Sequence, residues 1–157
     1  MIQVRVTQSA DPTTAQLTAF KQYASVAEDA QDTMLQKLLK QAMLKVQEFS
    51  DRALLACTLE LVISDIAAGE RVKLYQGASA VTSVKDEEGG NVDYTLCPDG
   101  LYLKRACKAA KVTYTNTVNE HEADRLLPVV WQYATALYDG AEPQEQAAIL
   151  KTCYGLL

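Results

Sequence analysis

The sequence predicts an α+β fold in which helices at both ends pack around a small antiparallel β region containing a hairpin. Three observations predict it. Apolar residues Leu35, Leu38, Leu39, Ala42, Val46 and Phe49 recur at steps of three and four, which places them on one face of a helix. From residue 57 to 117 the period changes to alternation, in short runs broken by Gly, Pro, Asn and Asp. Beyond residue 126 the helical period returns. Strands grouped together and flanked by helices, without regular strand–helix alternation, indicate an antiparallel sheet.

Taken in order, Ile2–Val6 alternates and reads as a short strand, ended by Asp11-Pro12. A helix over 13–24 follows, with Thr13 or Asp11 as its cap and Leu17 and Phe20 on its apolar side. The helix over 31–50 is the clearest element. Asp32 at its start suits the positive end of the helix dipole, and Gln36, Lys37, Lys40, Gln41, Lys45 and Gln47 occupy the face opposite the apolar one. Cys57 to Ile63 alternates and is rich in strand formers, Asp65 to Glu70 is a turn, and Val72 and Leu74 mark a second short strand. Ala80 to Lys85 and Val92 to Leu96 flank Asp86-Glu87-Glu88-Gly89-Gly90-Asn91. Glycine and asparagine supply positive φ there, so the pair reads as a β-hairpin with an acidic tip. A turn at Pro98-Asp99-Gly100 leads into Leu101–Leu103, and Lys111–Thr117 alternates again. Leu126, Leu127, Val130, Trp131, Ala134, Leu137 and Tyr138 form a broad apolar helical face, Gly140 is its stop, and Pro143 opens a last helix to about 153. No linker, repeat or low-complexity stretch divides residues 1–157, so a single domain is expected.

Composition narrows the classes of function. The chain has 157 residues, of which 48% are apolar and 22% charged, close to the average of globular domains. No run approaches the ~20 apolar residues that span a bilayer, and the N-terminus lacks the apolar block of a signal peptide. The expected location is therefore a cytoplasm or something assembled in it. The net charge of −5 disfavours tight binding to nucleic-acid phosphates, and Lys104, Arg105, Lys108 and Lys111 read as a solvated face. The four cysteines, at 57, 97, 107 and 153, form no CxxC pair and read as small hydrophobes in or near the core.

The residues do not assemble a catalytic pattern. His121, the only histidine, lies among acids in Asn119-Glu120-His121-Glu122 and reads as a solvated residue on a loop or at a helix start. GxSxG, HExxH and GxxxxGK[ST] are all missing. Asp86, Glu87 and Glu88 lack the alternate spacing of an EF-hand and read as a solvated tip. The expectation is a protein with no catalytic residues, no cofactor and no metal ion.

Five segments in order resemble the phage head–tail connector family. They are Asp32 through Phe49 with its Arg52-Ala53-Leu54 exit, and Val72-Lys73-Leu74-Tyr75-Gln76-Gly77 leading to Val81-Thr82-Ser83-Val84. The remaining three are Gly89-Gly90-Asn91 with Tyr94-Thr95-Leu96, Val112-Thr113-Tyr114, and Leu126-Leu127-Pro128 to Leu137-Tyr138. Together they cover about residues 13–139. The chain departs from the family in the Ile2–Val6 strand and in Pro128 within or at the start of the closing helix.

The resemblance implies a structural adaptor of a tailed phage or prophage, located at the head–tail junction of the virion. Such a protein forms a ring of its own copies between the portal protein and the tail or stopper proteins. DNA passes through without specific binding, and neither a membrane nor a small-molecule substrate is involved. The candidate interface comprises Asp86, Glu87, Glu88, Gly89, Gly90 and Asn91 at the acidic tip, with Trp131 and Tyr138 on the closing helix. Two other readings stay open from the residues alone: a small cytoplasmic interaction or regulatory protein, and an enzyme that gathers His121, Cys or carboxylates from distant segments.

Overall fold

The computed structural model describes all residues, Met1 to Leu157. Its fold is mixed α+β with antiparallel sheets, and its chain contacts divide into two units, each built from two stretches of sequence. One comprises Met1–Ser9 and Ala56–Thr117, the other Ala10–Leu55 and Val118–Leu157.

The first unit holds every strand. β1 (Ile2–Ser9), β2 (Cys57–Ile66), β7 (Cys107–Asn116) and β4 (Ala78–Lys85) form a four-stranded sheet in the order β1-β2-β7-β4, with every neighbouring pair antiparallel. Alternation explains why these residues form strands. Cys57, Leu59, Leu61 and Ile63 are buried while Thr58, Glu60, Val62 and Ser64 are half-exposed, the period-2 signature of a sheet with one covered face. Asp65 then takes a left-handed conformation (φ 53°), which shifts the parity so that Ile66 is also buried. On β7 the same alternation buries Ala110, Val112 and Tyr114. The ring of Tyr114 is wholly buried, and its hydroxyl is satisfied by the Tyr75 backbone, donating to the carbonyl and accepting from the N–H at 3.3 Å each. The buried Asn116 accepts the Cys57 N–H at 2.7 Å through Oδ1, fixing the entry to β2.

A second, three-stranded sheet has the order β3-β6-β5, from β3 (Arg71–Val72), β6 (Gly100–Leu103) and β5 (Tyr94–Cys97). β5 and β6 form a true hairpin across Pro98-Asp99, with Cys97 opposite Gly100. Gly100 must be glycine: its φ is 153°, and a Cβ there would lie 2.7 Å from the Val72 carbonyl oxygen.

Two expectations are corrected here. The hairpin read across Asp86–Asn91 is not one, because β4 pairs with β7 and β5 with β6, leaving a single bridge between Lys85 and Asn91. Two alternating runs around a glycine turn look alike in sequence whether they pair with each other or diverge into different sheets. The strand read through Leu74 ends at Val72.

The second unit is helical. α1 (Thr14–Tyr23) starts with a capping box: the Thr13 hydroxyl accepts the Gln16 N–H at 3.1 Å, and the Gln16 side chain accepts the Thr13 N–H at 2.8 Å. Pro12 immediately precedes this cap. Lys21 bridges Asp29 at 2.8 Å and Asp32 at 2.7 Å, joining α1 to the start of α2 (Asp32–Ser50). Leu35, Leu39, Ala42, Met43 and Val46 are the buried face of α2, and α2 packs on α3 (Glu120–Tyr138), whose buried face includes Leu126, Val129, Val130 and Ala134. Each such large aliphatic side chain contributes about 1.5–3 kcal/mol through burial. α3 is capped by Asn119, whose Oδ1 accepts the His121 and Glu122 N–H groups. It contains Pro128 and ends before Gly140 (φ 68°). α4 (Pro143–Lys151) has proline in its first turn and runs into a 3₁₀ turn, Thr152–Gly155. No helix is long and apolar enough to cross a membrane.

One residue assigned to the polar face of α2 belongs inside. Gln47 is fully buried, and its Oε1 accepts the N–H groups of Leu54 at 2.8 Å and Leu55 at 3.0 Å. The chain reverses at Asp51 (φ 56°), and Gln47 supplies the acceptor that the returning backbone needs.

Candidate functional site

The two groups of candidate residues fall in different units. In the strand-bearing unit, Asp86–Asn91 forms a compact loop closed at its base by the Lys85–Asn91 bridge and by the Val92 N–H, which donates to the Val84 carbonyl at 3.0 Å. Val84 and Val92 are both buried under it. Asp86 organises the loop. Its Oδ1 accepts the Glu88 N–H at 3.0 Å and the Gly90 N–H at 2.8 Å, and its backbone carbonyl accepts the Gly89 N–H at 3.0 Å. Gly89 sits at φ 82° with open space around it, the conformation for which the glycine is needed.

Arg105 locks this arrangement. Its Nη2 lies 2.6 Å from Asp86 Oδ2 and donates to the Asn91 carbonyl at 3.3 Å. The guanidinium, followed by the Gly90 N–H, holds the Asp86 carboxyl below its ordinary range, and Asp86 in turn raises Arg105. The acidic tip is therefore not uniformly solvated: the Asp86 side chain is 13% exposed, whereas Glu87 and Glu88 face solvent and set the charge of the outer surface. The inner side of the loop borders a groove of about 470 Å³, floored by Val62, Ala109 and Ala110 and flanked by Lys85 and Lys111. Lys85 also bonds Asn91 Oδ1.

In the helical unit, Trp131 is half-buried and stacked on Tyr23, with centroids 5.3 Å apart and planes at 29°. Tyr138 is 46% exposed, and its hydroxyl donates to Gln31 Oε1 at 3.0 Å. Tyr23 and Met34 are exposed to a degree similar to that of Tyr138. His121 lies in the first turn of α3, exposed, with Nε2 3.0 Å from Arg125 Nη2. The four cysteines form no disulfide, and burial pushes the Cys107 and Cys153 thiols up. No three His, Cys, Asp or Glu side chains gather in a geometry suited to a metal ion.

Arg105, Tyr23 and Gln31 were not among the candidates read from the sequence, although each holds one of them in place. No local signal marks them, since Arg105 is separated from Asp86 by 19 positions and Gln31 from Tyr138 by 107.

No protein-family model matches this sequence, and no curated protein matches it. Solved structures do. A chain in the neck of an empty gene transfer agent particle, computed with C6 symmetry, is similar with a TM-score of 0.65 at 17% identity, over 96% of this chain and 94% of that one. This chain has the fold of a particle neck chain. A chain in the virion of a native gene transfer agent particle gives a TM-score of 0.64 at 16% identity, over 94% of this chain and 93% of that one. A chain in the neck of the native particle, computed with C12 symmetry, gives 0.55 at 15%, over 93% and 94%. At these identities it is the fold that is shared. The connector resemblance read from the sequence is thus matched, as a fold, by chains from particle necks and a virion.

Proposed function

We propose that this protein is a non-catalytic structural component of a tailed-phage-like particle: a ring-forming adaptor between portal and tail, through which DNA passes. The observation behind this reading is the likeness to neck chains over 93–96% of this chain and 94% of theirs. Those necks were computed with C6 and C12 symmetry, so the reading extends naturally to copies arranged about an axis. On this reading residues 1–157 act as one connector-like domain, present in the virion at the head–tail junction and in the bacterial cytoplasm during assembly.

The charge of the chain supports passage of DNA rather than its capture. A ring multiplies the net charge of −5 by its copy number, and an acidic lining repels phosphate. Glu87 and Glu88 on the loop, and Trp131 and Tyr138 on α3, are the proposed contacts with neighbouring copies, the portal or the tail.

The decisive experiment is the mass of the purified protein by light scattering across a wide concentration range. A discrete oligomer of many copies is expected. A monomer or dimer at every concentration contradicts the ring reading and favours a small interaction or regulatory protein.

A further inference from the structure

The four-stranded sheet ends in two strands that each have a partner on one side only, β1 and β4. Natural sheets usually protect such edges with charges, proline, short strands or a covering element. Here the protection is thin. Both edge strands are eight residues long, and most of their residues are exposed or half-exposed. Ala78–Val84 contains no charge and no proline. β1 contains one charge, Arg5, and that side chain is turned onto its inner neighbour, 2.8 Å from Glu60 of β2. The outer side of β4 is occupied only at its last residues, where Val84 and Lys85 meet Val92 and Asn91.

Strand direction indicates what fits these edges. Three antiparallel pairings in succession mean that β1 and β4 run in opposite directions. A second copy in the same orientation, displaced sideways, therefore brings its β4 alongside β1 in antiparallel register, the favourable pairing. The alternation then continues from copy to copy. Such a junction is head-to-tail, leaves every copy pointing the same way, and leaves each copy with one edge to give and one to receive, as a closed ring requires. Both edge strands contain register breaks, at Val6/Gln8 in β1 and at Ala78/Ala80 and Val81/Ser83 in β4. Bulges of this kind bend and twist a sheet, and sheets that close on themselves use them for curvature.

We propose that neighbouring copies are joined by pairing of the outer edge of β1 (Ile2–Val6) in one copy with the outer edge of β4 (Ala78–Ser83) in the next. The proposal rests on the ring reading and specifies its junction.

The test uses two full-length variants, each blocking one edge. Val4→Lys places a charge on β1. Thr82→Pro alters an exposed β4 residue that falls at a register break, where the pairing with β7 already skips a residue and proline is tolerated. Circular dichroism and thermal melting establish that each variant folds, and Gln3→Lys or Ala80→Lys, both at exposed positions on the same edges, replaces one that does not. Light scattering should find a many-copy oligomer for the unmodified chain and a monomer for each variant alone. An equimolar mixture should show twice the monomer mass, because one intact β1 edge and one intact β4 edge remain. Folded variants that still form the full oligomer overturn the edge junction and leave the ring reading standing. A Thr82→Pro variant that dimerises by itself points to symmetric β1–β1 pairing and overturns the head-to-tail junction. An unmodified chain that stays monomeric throughout overturns both.

Discussion

Replacing Gln47 by methionine removes the buried amide whose Oε1 closes the turn after α2. The side chain is fully enclosed, and its Oε1 takes hydrogen bonds from two backbone N–H groups, Leu54 at 2.8 Å and Leu55 at 3.0 Å. Methionine has nearly the same volume and flexibility, so the packing change should cost less than about 1.5 kcal/mol. Removing the acceptor withdraws a partner from two buried donors, each of which costs about 1–3 kcal/mol when left unsatisfied. The expected loss is about 3 kcal/mol, since some relaxation or water entry will recover part of the total. For a chain of this size that corresponds to a fall in melting temperature of about 6–12 °C. Urea titration is the assay, with a lowered midpoint and an unchanged slope as the signature of lost stability without a change in the unfolded state. A loss below about 0.5 kcal/mol would refute the reasoning, because it would mean that the turn after α2 finds other acceptors at no cost.

Three further outcomes follow from the same structure. Pro128→Ala should stabilise α3 by about 1–2 kcal/mol and raise the melting temperature by a few degrees, because the proline is exposed and withholds an N–H from the carbonyl four residues earlier. Asp86 titrates below its ordinary range in the folded state, so its pairing with Arg105 stabilises the fold above the unfolded-state value of 3.8, and that contribution is lost as pH falls through the lower folded value. Arg105→Ala should therefore be less stable than the unmodified chain at pH 7, with the difference shrinking as pH falls below 3.8 and through the lower folded value. Glu87→Lys combined with Glu88→Lys should leave the melting temperature within about a degree, since both side chains are exposed, while changing the salt dependence of self-association seen by light scattering.

The helices were legible because their cause is local. Leu35, Leu39, Ala42 and Val46 repeat with the helical period, Thr13 and Gln16 form a capping box within four residues, and Gly140 and Pro143 punctuate the gap between α3 and α4. The strands were legible as strands for the same reason, but not their partners. Val84 and Val92 alternate correctly around a turn, yet their strands part after one bridge, because β5 pairs with β6 in the second sheet. The candidate loop shows the same limit. Its acids and glycines are visible in sequence, whereas the division between an anchored Asp86 and outward-facing Glu87 and Glu88 depends on Arg105, which no local pattern connects to the loop. Gln47 was misplaced because a period built on apolar residues assigns every polar one to the surface, and a glutamine that satisfies buried backbone follows no such period.

The interleaving of the two units governs what the chain can do while it is being made. β1 leaves the ribosome first but cannot pair until Cys57 and the rest of β2 follow, and the apolar face of α2 waits for α3, which begins at Glu120. The entropy of closing such long loops grows only slowly with length, so the finished protein loses little stability by it. The nascent chain, by contrast, carries an unpaired strand and an uncovered leucine-rich helix through most of its synthesis, a state prone to misassociation. Folding is thus postponed until translation is nearly complete, and a truncated product lacking α3 leaves behind a fragment with its helical core open.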